Sequence, residues 1–130
     1  MRSDNSHNLK SLLSNRRQGK YKQNLIAYTV RTIEKKTGLT LHELKRKYTQ
    51  KELYRIGLYY ITTTNKVICE ALQIPVEAGT RRKRDLEKEG RLWVSTRKRI
   101  CPYTNHPARF LTTNADYFTN RNGKRLKTFK

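Results

Sequence analysis

The sequence predicts a mainly α-helical protein with one small β-hairpin, an α+β fold. Apolar residues recur at helical spacing in five segments between residues 22 and 89. Alternation of β-branched and polar residues is concentrated later, on both sides of a turn-rich segment. The chain has 130 residues, so these elements have room for one domain with one modest core.

The first two helices are predicted from spacing and from their end signals. Four apolar residues predict a helix over about residues 22–36: Leu25, Ile26, Val30 and Ile33. Gly38 stands where that helix would stop. A second, short helix is expected within residues 39–48, where Thr40 and Glu43 have the spacing of a capping box.

The middle of the chain predicts a helix, a short strand and another helix. Residues 52–60 continue the helical spacing, whereas residues 60–64 are aromatic or β-branched and favour an extended strand. Helical spacing returns over residues 65–72, with Thr64 or Asn65 available as the N-cap.

The last predicted elements are a basic helix and a hairpin. Residues 77–89 form a very basic helical segment that Gly90 ends, at a position where a left-handed backbone is usual. Residues 92–97 and 108–113 are β-prone, and the turn-rich residues 101–107 between them predict a hairpin with a long loop.

The charge of the chain predicts a polyanionic partner. Thirty Lys and Arg against ten Asp and Glu give a net charge of +20. Residues 90–130 carry ten bases and one acid, and residues 1–33 carry seven and one, so the charge is densest at the two ends. Solubility alone does not require such an excess, which makes nucleic acid the expected ligand.

Membrane insertion and secretion are not expected. The longest wholly apolar stretch, residues 56–61, is far shorter than a membrane span. Residues 1–7 are not followed by the apolar block of a signal peptide, and two cysteines do not make a disulfide framework. We therefore expect a cytoplasmic protein, nucleoid-associated if the source is bacterial.

The element order over residues 50–113 resembles that of the winged helix-turn-helix superfamily of DNA-binding proteins. Residues 71–76 (Ala-Leu-Gln-Ile-Pro-Val) are similar to the junction between its two helices, where a leucine closes the first helix and an aliphatic residue plugs the core. Residues 86–92 (Leu-Glu-Lys-Glu-Gly-Arg-Leu) resemble the end of a recognition helix turning into the wing. The chain loosely resembles small DNA-binding proteins of plasmids and phages.

The resemblance divides the chain into four parts. Residues 1–20 are expected to form a basic, disordered or loosely helical arm, since they hold few sizeable apolar side chains. Residues 21–49 would be a helical extension, residues 50–118 the winged helix-turn-helix domain, and residues 119–130 a solvated basic tail.

The recognition helix implied by the resemblance supplies the first set of contact residues. If Leu86 faces the core, Gly79 and Arg82 or Lys83 lie on the same face. The outward residues would then read base edges or hold phosphates. They are Glu77, Thr80, Arg81, Arg84 and Lys88. Gly79, Lys83 and Gln73 depart from the usual pattern, in which aliphatic residues stand at the first two positions and glycine or asparagine at the third.

The implied wing supplies the second set of contact residues. Four bases flank the hairpin loop, where an arginine or lysine would lie along phosphates or enter a minor groove. They are Arg97, Lys98, Arg99 and Arg109.

The aromatic residues receive a structural interpretation. Tyr28, Tyr48, Tyr54, Tyr59 and Tyr60 lie in helical or strand patterns and are assigned to packing rather than to base stacking. The strand alternation leaves it open whether Trp93 covers the helical layer or lies exposed.

The sequence supports two functional hypotheses, and neither is enzymatic. No catalytic constellation, metal site or cofactor site is recognised in the sequence. The leading hypothesis is sequence-specific binding of double-stranded DNA by a regulator, or by a replication or excision accessory factor of a mobile element. The alternative is a structural RNA-binding or ribosome-associated protein that uses the same charge without reading bases. A homodimer is compatible with either function.

Overall fold

The protein is mainly helical, with a small antiparallel hairpin, as the sequence predicts. The computed structural model describes residues 2–118 and 128–129, with side chains described for residues 19–116. The helices are α1 (Arg2–Thr37), α2 (Leu41–Lys47), α3 (Gln50–Tyr60), α4 (Asn65–Leu72) and α5 (Val76–Lys88). The strands are β1 (Trp93–Ile100), β2 (Pro107–Thr112) and β3 (Thr128–Phe129), in the sheet order β2-β1-β3.

Helix α1 begins much earlier than expected. The predicted arm, residues 1–20, was expected to be disordered or loosely helical, and from Arg2 onward it is helical and continuous with the helix expected over residues 22–36. Adding a residue to an existing helix gains one hydrogen bond without a new nucleation cost, and no proline interrupts this segment. A sparse apolar pattern was therefore a poor guide to where the helix starts.

Threonine side chains cap the next three helices. Thr40 and Glu43 form the predicted capping box at the start of α2. Thr49 accepts from the Glu52 amide ahead of α3, and Thr64 accepts from the Val67 amide ahead of α4. Each cap satisfies an amide that has no partner inside the helix.

The predicted strand over residues 60–64 is reduced to a single bridge. Tyr60 is still part of α3, and only Thr63 pairs, antiparallel, with Leu111 of β2. The two residues exchange both backbone hydrogen bonds, at 3.2 and 2.7 Å. Only three residues separate Tyr60 from the Thr64 cap, which leaves no room for a longer strand.

One core joins the helices to the hairpin. Tyr54 and Leu58 of α3 pack with Ile68 and Leu72 of α4 and with Leu86 of α5, all in a single cluster of buried residues. The same cluster includes Ile33 of α1 and Leu111 of β2.

Hydrogen bonds fix the end of β2 to α3. The Thr112 hydroxyl donates to the Leu58 carbonyl at 3.1 Å, and the Thr113 hydroxyl donates to the Arg55 carbonyl at 2.6 Å. The hairpin is therefore held against the helices at its base.

The end of the chain is not simply a solvated tail. Thr128 and Phe129 pair in parallel with Val94 and Ser95 of β1, on the edge that β2 leaves open. An open strand edge offers unpaired amides and carbonyls, which accounts for this pairing. Of the predicted tail, residues 119–130, only Thr128 and Phe129 belong to the part of the chain that the structure describes, and the others lie outside it.

The structural interpretation of the tyrosines holds for only part of the set. Tyr54 is fully buried, and Tyr48 packs partly buried against the core. Tyr28, Tyr59 and Tyr60 are exposed, so assigning them to the core was wrong. Helical spacing alone does not distinguish a buried aromatic residue from one on the next face.

Trp93 is buried, which excludes the exposed position that the sequence left open. Its side chain is only 7 % exposed. The neighbouring Leu92 is also buried, so two consecutive residues at the start of the hairpin lie in the interior of the domain.

Gly79 permits the close approach of α5 to α4, and replacing it should destabilise the fold. A methyl group at this position would overlap with the Cys69 sulfur and lie 3.2 Å from Asn65 Oδ1. We expect Gly79→Ala to lower the free energy of unfolding by about 1–3 kcal/mol, because the two helices must separate. Urea unfolding followed by circular dichroism measures this loss.

Gly19→Ala is the matched control for Gly79→Ala. Gly19 is also helical but has no atom of a described residue near its would-be Cβ, so alanine should stabilise that helix by roughly 0.5–1 kcal/mol. Equal effects of the two substitutions would contradict the assigned packing of α5 on α4.

Candidate nucleic-acid interface

The inward face of α5 has the register that the sequence predicted. Leu86 is fully buried, Ala78 and Gly79 are buried, and Arg82 and Lys83 lie half-buried at the margins of that face. Gly79 takes the place of an aliphatic residue because the Cys69 side chain already fills the space. This packing fixes which residues of α5 point away from the domain.

A residue in the left-handed conformation follows each of the helices α4 and α5 and ends it. Gln73 has φ 58° and ψ 42°, and the Ile74 amide donates to the Cys69 carbonyl at 2.9 Å. Gly90 has φ 72°, and the Arg91 amide donates to the Leu86 carbonyl at 2.9 Å. This long closing bond is typical of a Schellman motif. Gln73 thus adopts the left-handed conformation at the end of α4, a position at which the resemblance implies glycine or asparagine.

The turn between α4 and α5 is short and anchored in the core. Only residues 73–75 connect the helices, and Leu72 and Ile74 on either side of Gln73 are buried. Lys45 of α2 donates a hydrogen bond to the Gln73 side chain. The two helices are therefore held as one rigid unit.

Three bases of α5 project into solvent. Arg81, Arg84 and Lys88 are exposed and form no ion pair with any residue that the structure describes. Their neighbours differ, since Arg82 pairs with Asp85 at 3.4 Å and Lys83 pairs with Glu87 at 3.6 Å. The outward face of α5 thus carries unneutralised positive charge.

The other two predicted contact residues of α5, Glu77 and Thr80, differ in their surroundings from the three exposed bases. Glu77 is exposed in the first turn, where no side chain caps the helix and a carboxylate is favoured by the helix dipole. Thr80 does not point outward as expected. It is half-buried, its hydroxyl donates to the Val76 carbonyl at 3.0 Å, and it accepts from Asn65 of α4 at 3.4 Å.

The hairpin carries three projecting bases in a row. Arg97, Lys98 and Arg99 of β1 are exposed and form no ion pair with residues in the described ranges. Arg97 lies within an irregularity in the β1–β2 pairing between Val94 and Lys98, and Lys98 and Arg99 stand where the regular pairing resumes. A bulge of this kind turns a strand locally and redirects its side chains.

Arg109 differs from the other three hairpin bases. Its guanidinium donates to the Ser95 carbonyl at 2.8 Å and to the Thr96 carbonyl at 2.6 Å, across the irregular stretch of β1. Ser95 supports the same stretch, because its hydroxyl donates to the Arg97 carbonyl and accepts from the Phe110 amide. Arg109 therefore stabilises the hairpin in addition to exposing charge.

A basic groove separates α4 and α5 from the hairpin. It has a volume of about 360 Å³ and is lined on its charged sides by Lys66, Lys83 and Arg109. The floor includes Cys101, whose sulfur lies 3.1 Å from the Thr64 hydroxyl. Sequence reasoning missed Lys66 and placed Lys83 only as a possible core residue, because nothing local shows that α4 and the hairpin converge.

A tyrosine in the hairpin loop joins three elements beside this groove. The ammonium groups of Lys22 and Lys66 lie 5.0 and 5.7 Å from the centre of the Tyr103 ring. Cation–π contacts at such distances hold the loop to α1 and α4. The hairpin is consequently fixed at its loop as well as at its base.

The buried polar groups beneath α5 are structural. Tyr54 donates to Asn65 Oδ1 at 2.7 Å, and the Cys69 thiol lies 3.5 Å from the same oxygen. Burial raises the pKa of Cys69 to about 11, and burial, with the nearby Cys69 and Glu87, raises the pKa of Tyr54 still further above its usual value. Both groups are therefore neutral at physiological pH, and we assign them no chemistry.

Within the described ranges, His, Cys, Asp and Glu do not gather in threes that could hold a metal ion. Among the same residues, no helix combines the length and apolar character needed to cross a bilayer.

Comparison with known proteins adds no relative. No protein-family model, curated protein sequence or solved structure matches this chain.

Proposed function

We propose that the protein binds double-stranded DNA as a winged helix-turn-helix, with α5 as the recognition helix and the β1–β2 hairpin as the wing. The observation that carries the proposal is the outward face of α5. Arg81, Arg84 and Lys88 project there unpaired with described residues, while Leu86 and Gly79 fix the opposite face on the core.

The arrangement of elements supports this architecture. Helices α3, α4 and α5 precede the hairpin, and the short turn at residues 73–75 joins α4 to α5. The Thr63–Leu111 bridge stands where a winged helix has a short first strand beside its wing.

The side chains on α5 suit a duplex groove. An α-helix fits the major groove of B-form DNA, where arginine forms bidentate hydrogen bonds with guanine. Arg81 and Arg84 are three residues apart on one helix and are both exposed, so they can reach neighbouring base pairs. Lys88, in the last turn, is suited to a phosphate contact, as is Lys83 at the groove.

The hairpin would hold the DNA backbone. Its exposed bases Arg97, Lys98 and Arg99 supply charge without a defined hydrogen-bonding partner in the described fold, which favours contacts to phosphate rather than to bases. Such a protein would act as a regulator or as an accessory factor in replication or excision of DNA.

Competition between two labelled ligands tests the proposal. A random-sequence DNA duplex and a structured RNA of equal length are titrated with the full chain at one salt concentration. We expect tighter binding to the duplex, because the major groove of A-form RNA is too narrow to admit a helix. Preference for the RNA would overturn the proposal and favour the structural RNA-binding alternative.

Removing two wing bases should weaken binding without unfolding the protein. In the Arg97→Ala/Arg99→Ala double variant, duplex affinity should fall for all sequences alike, because backbone contacts carry no sequence information. The melting temperature should hardly change, since exposed substitutions usually alter stability by less than about 0.5 kcal/mol. Fluorescence anisotropy and thermal unfolding measure the two effects.

Arg109→Ala provides the contrast within the same hairpin. Its guanidinium bridges two carbonyls of β1, so its loss should also lower the melting temperature. Unchanged duplex affinity in the Arg97→Ala/Arg99→Ala variant would remove the wing from the interface.

A further inference from the structure

A second basic and aromatic surface lies on the side of the molecule formed by α1, α2 and α3. A cavity of about 510 Å³ opens there, within the size range of small-molecule sites. We call it the tyrosine pocket. Its charged and aromatic lining consists of Lys36, Lys47, Tyr48, Arg55, Tyr59 and Tyr60. None of these residues lines the groove beside the hairpin.

Two tyrosines give this pocket exposed ring surface. Tyr59 and Tyr60 are 40 % and 38 % exposed, and their rings meet edge to face with centroids 5.0 Å apart. Both were assigned to the core from the sequence, yet neither ring is enclosed. An exposed aromatic ring is a surface on which a planar base can stack.

Three cations line the same pocket as these rings. Lys36 and Lys47 are exposed and have no ion-pair partner among the residues described, and the Lys47 ammonium lies 5.5 Å from the centre of the Tyr48 ring. Arg55 donates two hydrogen bonds to Glu52, at 3.1 and 3.2 Å, which orients its guanidinium and offsets part of its charge. The two lysines therefore provide the attraction for a phosphate.

The surface continues beyond the first cavity. A second cavity of about 210 Å³ shares Arg55 and Tyr59 with the tyrosine pocket and is bordered by Arg91 and Trp93. Two adjacent cavities with a shared aromatic wall provide a path for more than one nucleotide.

From these observations we propose that the tyrosine pocket binds unpaired nucleotides of DNA or RNA. The bases stack on Tyr59 and Tyr60, and the phosphates lie near Lys36 and Lys47. An acidic peptide would use the lysines but not the ring faces, so the exposed tyrosines favour a nucleic acid. The site lies apart from the proposed duplex interface, and either proposal can fail without the other.

The test compares short single-stranded probes on the full chain. An oligothymidylate and an oligouridylate are titrated, together with an abasic oligodeoxyribose phosphate of equal length as the polyanion control. Trp93, the only tryptophan, borders the second cavity, so its fluorescence reports occupancy. We expect Tyr59→Ala/Tyr60→Ala to weaken binding of the two base-bearing probes by roughly 5- to 100-fold and to leave the abasic probe unchanged.

Three controls make the outcome decisive. Tyr28→Ala removes an exposed tyrosine outside the pocket and should have no effect. Tyr59→Phe/Tyr60→Phe keeps the rings and should keep the affinity. Lys47→Ala changes an exposed residue and should weaken all three probes, so it tests the site even if the double alanine variant unfolds.

Base-dependent binding that the tyrosine variants lose supports the proposal, and the tighter of the two base-bearing probes identifies the source of the nucleotides. Equal affinity for the abasic probe would overturn it and reduce the surface to a polyanion patch. Tight binding of polyglutamate that also requires Tyr59 and Tyr60 would overturn it in favour of an acidic peptide.

Discussion

Raising the salt concentration from 50 to 200 mM should lower duplex affinity by about 10³- to 10⁵-fold. Each phosphate that a lysine or arginine neutralises releases condensed counterions, so affinity falls as a power of the salt concentration. A contact count of roughly 6–10 phosphates gives this range. The exposed bases on α5, the groove and the hairpin are numerous enough to make such contacts.

Anisotropy titrations at several salt concentrations measure the slope. Arg97→Ala should reduce it by about one unit, as expected for one lost phosphate contact. Lys35→Ala is the control, because Lys35 is exposed near the end of α1. It does not line the groove, and it is not part of the hairpin. A duplex affinity that does not change with salt would contradict the electrostatic part of the proposal.

Leu86→Ala should abolish binding to every sequence by unfolding the domain. Leu86 is fully buried in the cluster that joins α5 to α3 and α4, and the Arg91 amide bonds to its carbonyl where the helix ends. Truncating a buried leucine to alanine costs about 2–5 kcal/mol of stability. That is a large part of the stability of an ordinary small domain.

Urea unfolding of Leu86→Ala and of Arg84→Ala separates the two faces of α5. Arg84 is exposed on the same helix, so its removal should leave the unfolding midpoint almost unchanged. If the two variants have the same stability, Leu86 does not hold α5 against the core, and the orientation of its outward face is wrong.

Local signals in the sequence were sufficient for most of the helices and for the hairpin. Thr40 with Glu43 marks a helix start, and Gly90 marks a helix end, because these residues satisfy terminal backbone groups through their own neighbours. The burial of Leu86 and the exposure of Arg81 and Arg84 followed from helical periodicity, since one buried residue fixes the register of a helix.

Features that depend on distant partners could not be predicted from the sequence. The role of Gly79 depends on the Cys69 side chain in another helix, and the hydrogen bonds of Arg109 depend on an irregularity in the facing strand. Tyr59 and Tyr60 looked like core residues from their sequence pattern, whereas both are exposed and line a cavity with residues of α1 and α2. The contribution of Lys66 to the groove likewise arises only in three dimensions.

If α5 reads DNA sequence, as we propose, the base preference of the protein should change in Arg84→Ala. A preferred site is first selected from random duplexes with the unmodified protein, and each base pair of that site is then varied. For Arg84→Ala, affinity for the preferred site should fall by about 1–3 kcal/mol, with discrimination lost at one base pair and non-specific binding largely retained. Failure to select any preferred site, or an unchanged preference in both Arg84→Ala and Arg81→Ala, would contradict the claim.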